Sequence, residues 1–365
     1  MRLQFDVSRC IRATSKASTC RACVDATEGR VSIEEQLPTF AKGSGVESAA
    51  CVGACPTEAF SLGSFHVTAF IFTMWESQEC YIAKGESLPC LSLLSVEHLV
   101  ALALGSEYTV TLNLYGYEPQ SHLYRTIADR IEEANFLLSA LGKKRLHVTD
   151  EQKEQRTEAN DTALDRRGFL QKTTSLKGVV AQKQAFDDAV EADEPYTFEV
   201  ADEMIEKIRQ KILPDKRKLL YTVLKHSPKP ESYEVLAQED LSFISQKFID
   251  EGCTNCQMCY RICPTGALSS NKKFSLIDFD AMLCMKCHLC HDVCEPEAIH
   301  LQPGFEVKEL FEPTTRRLAT FNVKRCNECG NPFTYFGGEQ MCPRCLVEED
   351  EAISLHANAR AMNNG

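Results

Sequence analysis

Eight cysteines between positions 253 and 294 constrain this chain more than any other feature. They form two copies of C-x2-C-x2-C-x3-C: Cys253, Cys256, Cys259 and Cys263, then Cys284, Cys287, Cys290 and Cys294. The second copy starts 31 residues after the first, at 284 against 253. Gaps of two residues let successive sulfurs of one tight loop converge on a common centre. A disulfide scaffold or a pair of zinc knuckles is the plainer use of eight cysteines, and the doubled spacing argues against both. The 365 residues hold 19 cysteines. Most are gathered in C-x2-C units rather than spread as pairs, which argues for a reducing compartment and bound metal.

This segment, residues 251–303, resembles a dicluster ferredoxin domain. The resemblance implies two [4Fe–4S] clusters, each taking three thiolates from one copy and the fourth from the other. One set is then Cys253, Cys256, Cys259 and Cys294; the other is Cys284, Cys287, Cys290 and Cys263. Pro264 follows the fourth cysteine of the first copy as the pattern expects, whereas Glu295 pushes Pro296 one place late in the second.

Residues 1–64 read as a worn version of the same unit. Cys23 and Cys51 align at an offset of 28, and Cys55-Pro56-Thr57-Glu58-Ala59 resembles the end of a ferredoxin half. Projecting the full ligand pattern finds Ala17, Cys20, Cys23 and Thr27 in the first half, and Gly45, Ser48, Cys51 and Cys55 in the second. Crossed ligation leaves one site with Cys20, Cys23 and Cys55, and the other with Cys51 alone. A third [4Fe–4S] cluster is expected on Cys10, Cys20, Cys23 and Cys55, with Cys51 the rival to Cys10. A clusterless remnant and a zinc site are the alternatives. The glycines at 43 and 45 suggest a turn rather than a phosphate loop.

Residues 65–149 alternate strand and helix patterns: strands over 65–72, 108–114 and 145–148, helices over 95–104 and 121–141. This predicts a small parallel α/β domain. Cys80 and the Leu88-Pro89-Cys90-Leu91 turn make it resemble the delta-subunit domain of methanogen-type hydrogenases and heterodisulfide reductases. Tyr115-Gly116-Tyr117 stands where that family carries further cysteines. Cys80 and Cys90 read as two ordinary buried thiols, with a redox pair as the alternative.

Residues 150–250 read as a charged, largely helical linker region, with a polar stretch over 149–165 and helices over 200–213, 216–225 and 233–248. Arg166-Arg167-Gly168-Phe169-Leu170 resembles a twin-arginine export motif, but it is mid-chain and lacks a following apolar run. In residues 320–347, Cys326, Cys329, Cys342 and Cys345 give C-x2-C-x12-C-x2-C. Four thiolates and no labile position predict a zinc-ribbon-like module holding one zinc. Cys342-Pro343-Arg344-Cys345 resembles a rubredoxin knuckle, which makes one iron the alternative. Residues 348–365 read as a flexible tail.

The expected fold class is α+β multidomain: a ferredoxin-like 2[4Fe–4S] domain, a degenerate N-terminal ferredoxin repeat, a small parallel α/β domain and a C-terminal knuckle pair. A net charge of −12 disfavours nucleic acid as a partner. The most apolar window, 91–104, contains Glu97 and His98 and is too short to span a bilayer. No apolar run follows the first residues as in a secretory signal, so a cytoplasmic location is expected. No nucleotide-binding glycine loop or radical-enzyme cysteine loop is recognisable. His288 and His291, between cluster cysteines, read as loop residues, and no catalytic residue is assigned. An electron-transfer subunit is the first reading, an enzyme being the less favoured one. The chain as a whole resembles the multidomain iron–sulfur proteins associated with formate dehydrogenases. That resemblance implies a larger redox enzyme such as formate dehydrogenase as one partner, a second electron carrier as another, and no membrane span. The alternative is a docking or maturation factor whose clusters are structural or sensory.

Overall fold

The computed structural model describes residues 3–40, 49–63, 65–151 and 211–363, with side chains as far as residue 355. The glycine turn near residues 43 and 45, the twin arginines at 166 and 167 and most of the expected helix over 200–213 lie outside the described residues.

Two segments share one order of elements. In the first, strand Leu3–Phe5, helix Ala22–Asp25, strands Val31–Glu34 and Leu37–Phe40, helix Ala50–Ala54 and strand Phe60–Leu62 follow in turn. The outer strands pair antiparallel, Leu3 opposite Leu62, and the inner two form a hairpin, Val31 opposite Phe40. In the second, strand Lys247–Ile249, helix Met258–Ile262, strands Leu268–Ser269 and Leu276–Asp280, helix Leu289–Asp292 and strand Ile299–Leu301 repeat it. Lys247 pairs with Leu301 and Leu268 with Phe279. This strand–helix–strand–strand–helix–strand order folds each half against the other and so brings its two short helices together. The loop from Cys10 to Thr19 adds a helical turn, Ile11–Thr14, to the first segment.

A turn repeats after three of the cysteines. Glu58, Gly266 and Glu297 each lie three residues beyond Cys55, Cys263 and Cys294, and all three have positive φ, at 54°, 75° and 52°. Their N–H groups donate to the carbonyls of those cysteines at 3.4, 3.4 and 2.9 Å. Only Gly266 adopts this conformation without a steric cost.

Between the two segments stands a three-stranded parallel sheet, Tyr81–Ala83, Thr111–Asn113 and His147–Thr149 in that spatial order. Helices Val67–Ser77, Val96–Gly105 and His122–Ala140 cover it. The strand expected over residues 65–72 is instead the start of helix Val67–Ser77. Its aromatic and β-branched composition suits a strand. Its buried residues Ile71, Phe72, Met74 and Trp75, however, follow helical spacing. The Trp75 indole donates to the Leu102 carbonyl at 3.2 Å, fixing the helix on its neighbour. The first strand of the sheet is Tyr81–Ala83. Ser95 starts the next helix with a capping box: its hydroxyl accepts from the His98 N–H, and its own N–H donates to His98 Nδ1, both at 3.2 Å.

Helix Asp215–His226 packs on helix Val96–Gly105 and joins the units. Leu219, Leu220, Val223 and Leu224 enter one apolar core that runs from Ile71 to Phe279 and Phe305. The helix expected over 233–248 is replaced by strand Val235–Ala237, a 3-10 turn Gln238–Asp240 and strand Lys247–Ile249. Pairing with Gly304–Glu306 and Ile299–Leu301 overrides local propensity there. The Gln238 amide staples the intervening loop, donating to the Ile244 carbonyl at 2.8 Å and accepting from the Gln246 N–H at 3.0 Å.

Strand Thr315–Thr320 adds to Leu276–Asp280, and hairpin Val323–Arg325/Pro332–Thr334 follows. Helix Pro343–Asn363 runs through most of the stretch expected as a tail. Pro343 stands at its first position, where the missing N–H costs nothing. Arg344 pairs with Glu348 at 2.8 Å, one turn on. Among the described residues no helix is long and apolar enough to cross a membrane.

Candidate metal centres

The two copies of the cysteine motif fold into two cavities. One is lined by Cys253, Cys256, Cys259 and Cys294. The other is lined by Cys263, Cys284, Cys287 and Cys290. Each gathers three cysteines of one loop and the last cysteine of the other copy, the crossed grouping expected from the spacing. The loops are built alike. Asn255 and Gln257 flank Cys256 with φ of 54° and 72°, and Lys286 and His288 flank Cys287 with 46° and 60°. Alternating left-handed residues turn successive backbone N–H groups inward, a concavity suited to anionic sulfur. Ser245 Oγ lies 3.2 Å from Cys284 Sγ.

Burial pushes the Cys259 and Cys290 thiols up to about 12, the neighbouring cysteines adding to it. Burial raises Cys287 and, less strongly, Cys253 as well. Thiols so placed give up their protons to a metal centre rather than to water. Cavities that each present four cysteines beside backbone N–H groups therefore fit a thiolate-bound iron–sulfur cluster.

The N-terminal unit buries Cys10, Cys23, Cys51 and Cys55 in one small core, and half-buried Cys20 feels Cys55 and Cys10 beside it. Burial pushes Cys20 up to about 11, against the Ala22 N–H, and Cys23 up to about 12; Cys55 adds to both. Burial also raises Cys10, which feels Cys55. Burial raises Cys51 as well, with Cys23 and Cys55 adding to it and Arg130 opposing. The Ala59 N–H donates to Cys55 Sγ at 3.3 Å, and Thr57 Oγ1 is 3.5 Å from it. Thr265 Oγ1 stands in the same relation to Cys263 Sγ, at 3.8 Å. Thr27, where the projected pattern asks for a cysteine, turns its hydroxyl to the Cys23 carbonyl at 2.8 Å.

Cys326, Cys329, Cys342 and Cys345 make a different kind of group: all four sulfurs lie within 4.8 Å of one another. Tetrahedral thiolates at about 2.3 Å from one ion are about 3.8 Å apart, and Cys329 Sγ is 3.7 Å from Cys342 Sγ. The size fits one ion, not a cluster. The Cys329 N–H, followed by those of Cys342 and Glu328, pulls the Cys326 thiol down to about 6 against some burial. Cys326 Sγ accepts from the Cys342 N–H at 3.2 Å.

Cys80 and Cys90 each have their own local partners. Cys80 Sγ is 3.3 Å from the Gln78 carbonyl. Cys90 Sγ is 3.0 Å from Ser92 Oγ, and the Tyr117 hydroxyl donates to it at 3.5 Å while accepting from the Leu91 N–H at 2.8 Å.

Sequence reasoning missed the charged residues that tie these centres together. Lys216 Nζ donates to the Cys55 carbonyl at 2.7 Å. Arg217 Nη1 donates to the Met282 and Cys284 carbonyls at 2.7 and 2.8 Å, and its Nη2 to that of Phe243 at 2.7 Å. Both meet Glu97, Arg217 at 2.6 Å and Lys216 at 3.4 Å. Glu58 closes the start of the same helix, accepting from the Asp215 and Lys216 N–H groups at 2.6 and 3.2 Å. Two further contacts extend the series. Thr19 donates through its N–H and hydroxyl to Asp292, between Cys290 and Cys294, at 2.9 and 2.8 Å. Asn255 donates to Thr334 Oγ1, in the knuckle hairpin, at 2.9 Å. A conspicuous signal was available for Lys216 and Arg217: adjacent basic residues opening an otherwise apolar-striped helix.

Residues 247–269 match the family of 4Fe–4S binding domains. No curated protein and no solved structure matches the chain. The chain thus carries a 4Fe–4S binding domain and, apart from it, a group of four cysteines that could hold a metal ion.

Proposed function

We propose that the chain relays single electrons between a larger oxidoreductase and a second electron carrier. The observation that carries this reading is the pair of cavities, each gathering four cysteines from both copies of the motif. Cys253, Cys256, Cys259 and Cys294 would hold one [4Fe–4S] cluster, and Cys263, Cys284, Cys287 and Cys290 a second. Cys10, Cys20, Cys23 and Cys55 would hold a third, in a degenerate copy of the ferredoxin unit. A [4Fe–4S] cluster supplies one-electron chemistry whose potential depends on its charge, hydrogen bonds and exposure. The protein's residues supply thiolates, inward N–H groups and exclusion of water.

The contacts between units favour a relay with two ends. Thr19 to Asp292 and Lys216 to Cys55 tie the N-terminal unit to the second ferredoxin-like segment and to the joining helix, which would bring a third centre near the paired cavities. Asn255 to Thr334 sets the knuckle at the opposite loop. In this reading Cys326, Cys329, Cys342 and Cys345 hold one zinc and brace the loop of Cys253 and Cys256. Cys256 is exposed, which gives the end of the series a point of access.

The test is iron, acid-labile sulfide and zinc per chain on anaerobically purified protein, with EPR of the dithionite-reduced form. About 12 iron and 12 sulfide, at four per cluster, with one zinc supports three clusters and the two-ended relay. About eight iron removes the N-terminal centre, and clusters that never reduce at low potential overturn the relay altogether.

A further inference from the structure

The strand Lys247–Ile249 is inverted with respect to polarity. Successive side chains of a strand point to opposite faces. Here Lys247 is 2% exposed while its neighbour Phe248 is 42% exposed. Lys247 and Phe248 have thus exchanged the places that hydrophobicity would give them. Phe248 lies outside against the His300 ring, with centroids 4.9 Å apart.

Inside, Lys247 lines the cavity of Cys263, Cys284, Cys287 and Cys290. Its Nζ is 2.9 Å from His291 Nε2. An ammonium has only hydrogens to offer, so the ring nitrogen accepts. Among the described residues no carboxylate lies within 4.0 Å of this ammonium. A buried ammonium whose only close partner is a ring nitrogen is costly unless an anion faces it. Among the described residues, no lysine, arginine or carboxylate stands in the wall of the neighbouring cavity of Cys253, Cys256, Cys259 and Cys294. Ile249, two residues along the same strand, lines that cavity instead.

The geometry points to Lys247 as the counter-cation of the second centre alone, raising its reduction potential so that the electron rests there rather than on the Cys253 centre. This rests on the reading of both cavities as [4Fe–4S] sites. A cubane on four thiolates is an anion and gains one further negative charge on reduction. A fixed positive charge in a wall shielded from water favours the more negative state. Arg217, donating to the Cys284 carbonyl at 2.8 Å, acts in the same direction but is already paired with Glu97. Lys247 is a positioning and tuning residue, neither a ligand nor a proton donor in this role.

EPR-monitored redox titration of the anaerobically purified full chain tests this on wild type, Lys247→Met and Lys247→Arg. A Cys287→Ser variant marks which signal belongs to the second centre. Lys247→Met removes the charge and keeps the stem. It should lower the midpoint of the second centre by at least about 59 mV, a tenfold change in a one-electron equilibrium. The Cys253 centre should not move, and Lys247→Arg should restore most of the difference. Loss of the second centre's iron from Lys247→Met but not from Lys247→Arg also supports a required cation. Unchanged midpoints with full iron content, an equal shift of both centres, or iron loss from both variants overturns the proposal. Wild-type protein with two cavities but no cluster signals overturns the underlying reading instead.

Discussion

Arg217 and Glu97 meet at 2.6 Å with the guanidinium fully buried and the carboxylate side chain 2% exposed. The pair joins the parallel α/β unit to the carbonyls of Met282 and Cys284. Removing one partner of a buried pair costs about 3–5 kcal/mol, because the other charge is left uncompensated. Glu97→Gln should therefore lower unfolding free energy by an amount in that range. Urea unfolding read by the fluorescence of Trp75, the chain's single tryptophan, measures it.

The same pair sets a pH dependence. Burial alone would raise the Glu97 carboxyl, but Arg217 and then Lys216 outweigh it and hold the group below its ordinary 4.5. As pH falls, the unfolded chain takes up this proton before the folded one. The stabilisation is present above about pH 4.5 and is lost as pH drops further. The gap in stability between wild type and Glu97→Gln should shrink between pH 4.5 and 3.5; a gap that stays constant there contradicts the pairing.

Gly53 marks where the N-terminal unit touches the α/β unit. A Cβ there would run into the Ser92 carbonyl oxygen and come within 2.5 Å of Arg130 Nη1. Arg130 bridges the units by donating to Ser92 and Leu94 at 2.7 and 3.1 Å and to Ala50 at 3.3 Å. Overpacking of this kind costs about 1–3 kcal/mol. Gly53→Ala should lower the melting temperature by several degrees and speed proteolytic release of the N-terminal unit.

Cys10 and Cys51 make distinct predictions for the N-terminal centre. Cys10→Ala should remove about four iron per chain, while Cys51→Ala should keep them, since a cluster on Cys10, Cys20, Cys23 and Cys55 leaves Cys51 out. Iron analysis with EPR decides; the reverse outcome makes Cys51 the ligand.

The knuckle should be separable from the clusters. Its four sulfurs lie within 4.8 Å, a single-ion spacing. Cys342→Ser should release one metal atom per chain, read by elemental analysis, with visible cluster absorption unchanged. A loss of several irons together would contradict a one-ion site.

The gathering of Cys253 to Cys294 into two cavities was legible in the two-residue gaps of each copy and, for the crossed halves, in the resemblance to a dicluster ferredoxin. Helices Val96–Gly105 and His122–Ala140 were legible through their apolar period. The stretch at 65–72 misled because aromatic and β-branched residues serve a buried helix as well as a strand. The stretch at 233–248 misled because its pairing partners lie more than fifty residues downstream, at Ile299–Glu306. Lys247 looked like an ordinary charged residue, since only the fold turns it inward. The repeated turn at Glu58, Gly266 and Glu297 was hidden because two glutamates occupy a conformation that glycine usually signals.

The bond from Lys216 to the Cys55 carbonyl spans 161 residues of chain. At a synthesis rate of about 5–20 residues per second, those residues take about 8–30 s to make. The N-terminal cysteines are therefore made first and enclosed late. Through that interval they lack the helix that Glu58 caps and Lys216 anchors. The order of synthesis and the order of closure run in opposite directions, so cofactor loading at the N-terminal centre must either wait for the middle of the chain or proceed on a unit still open to oxidants.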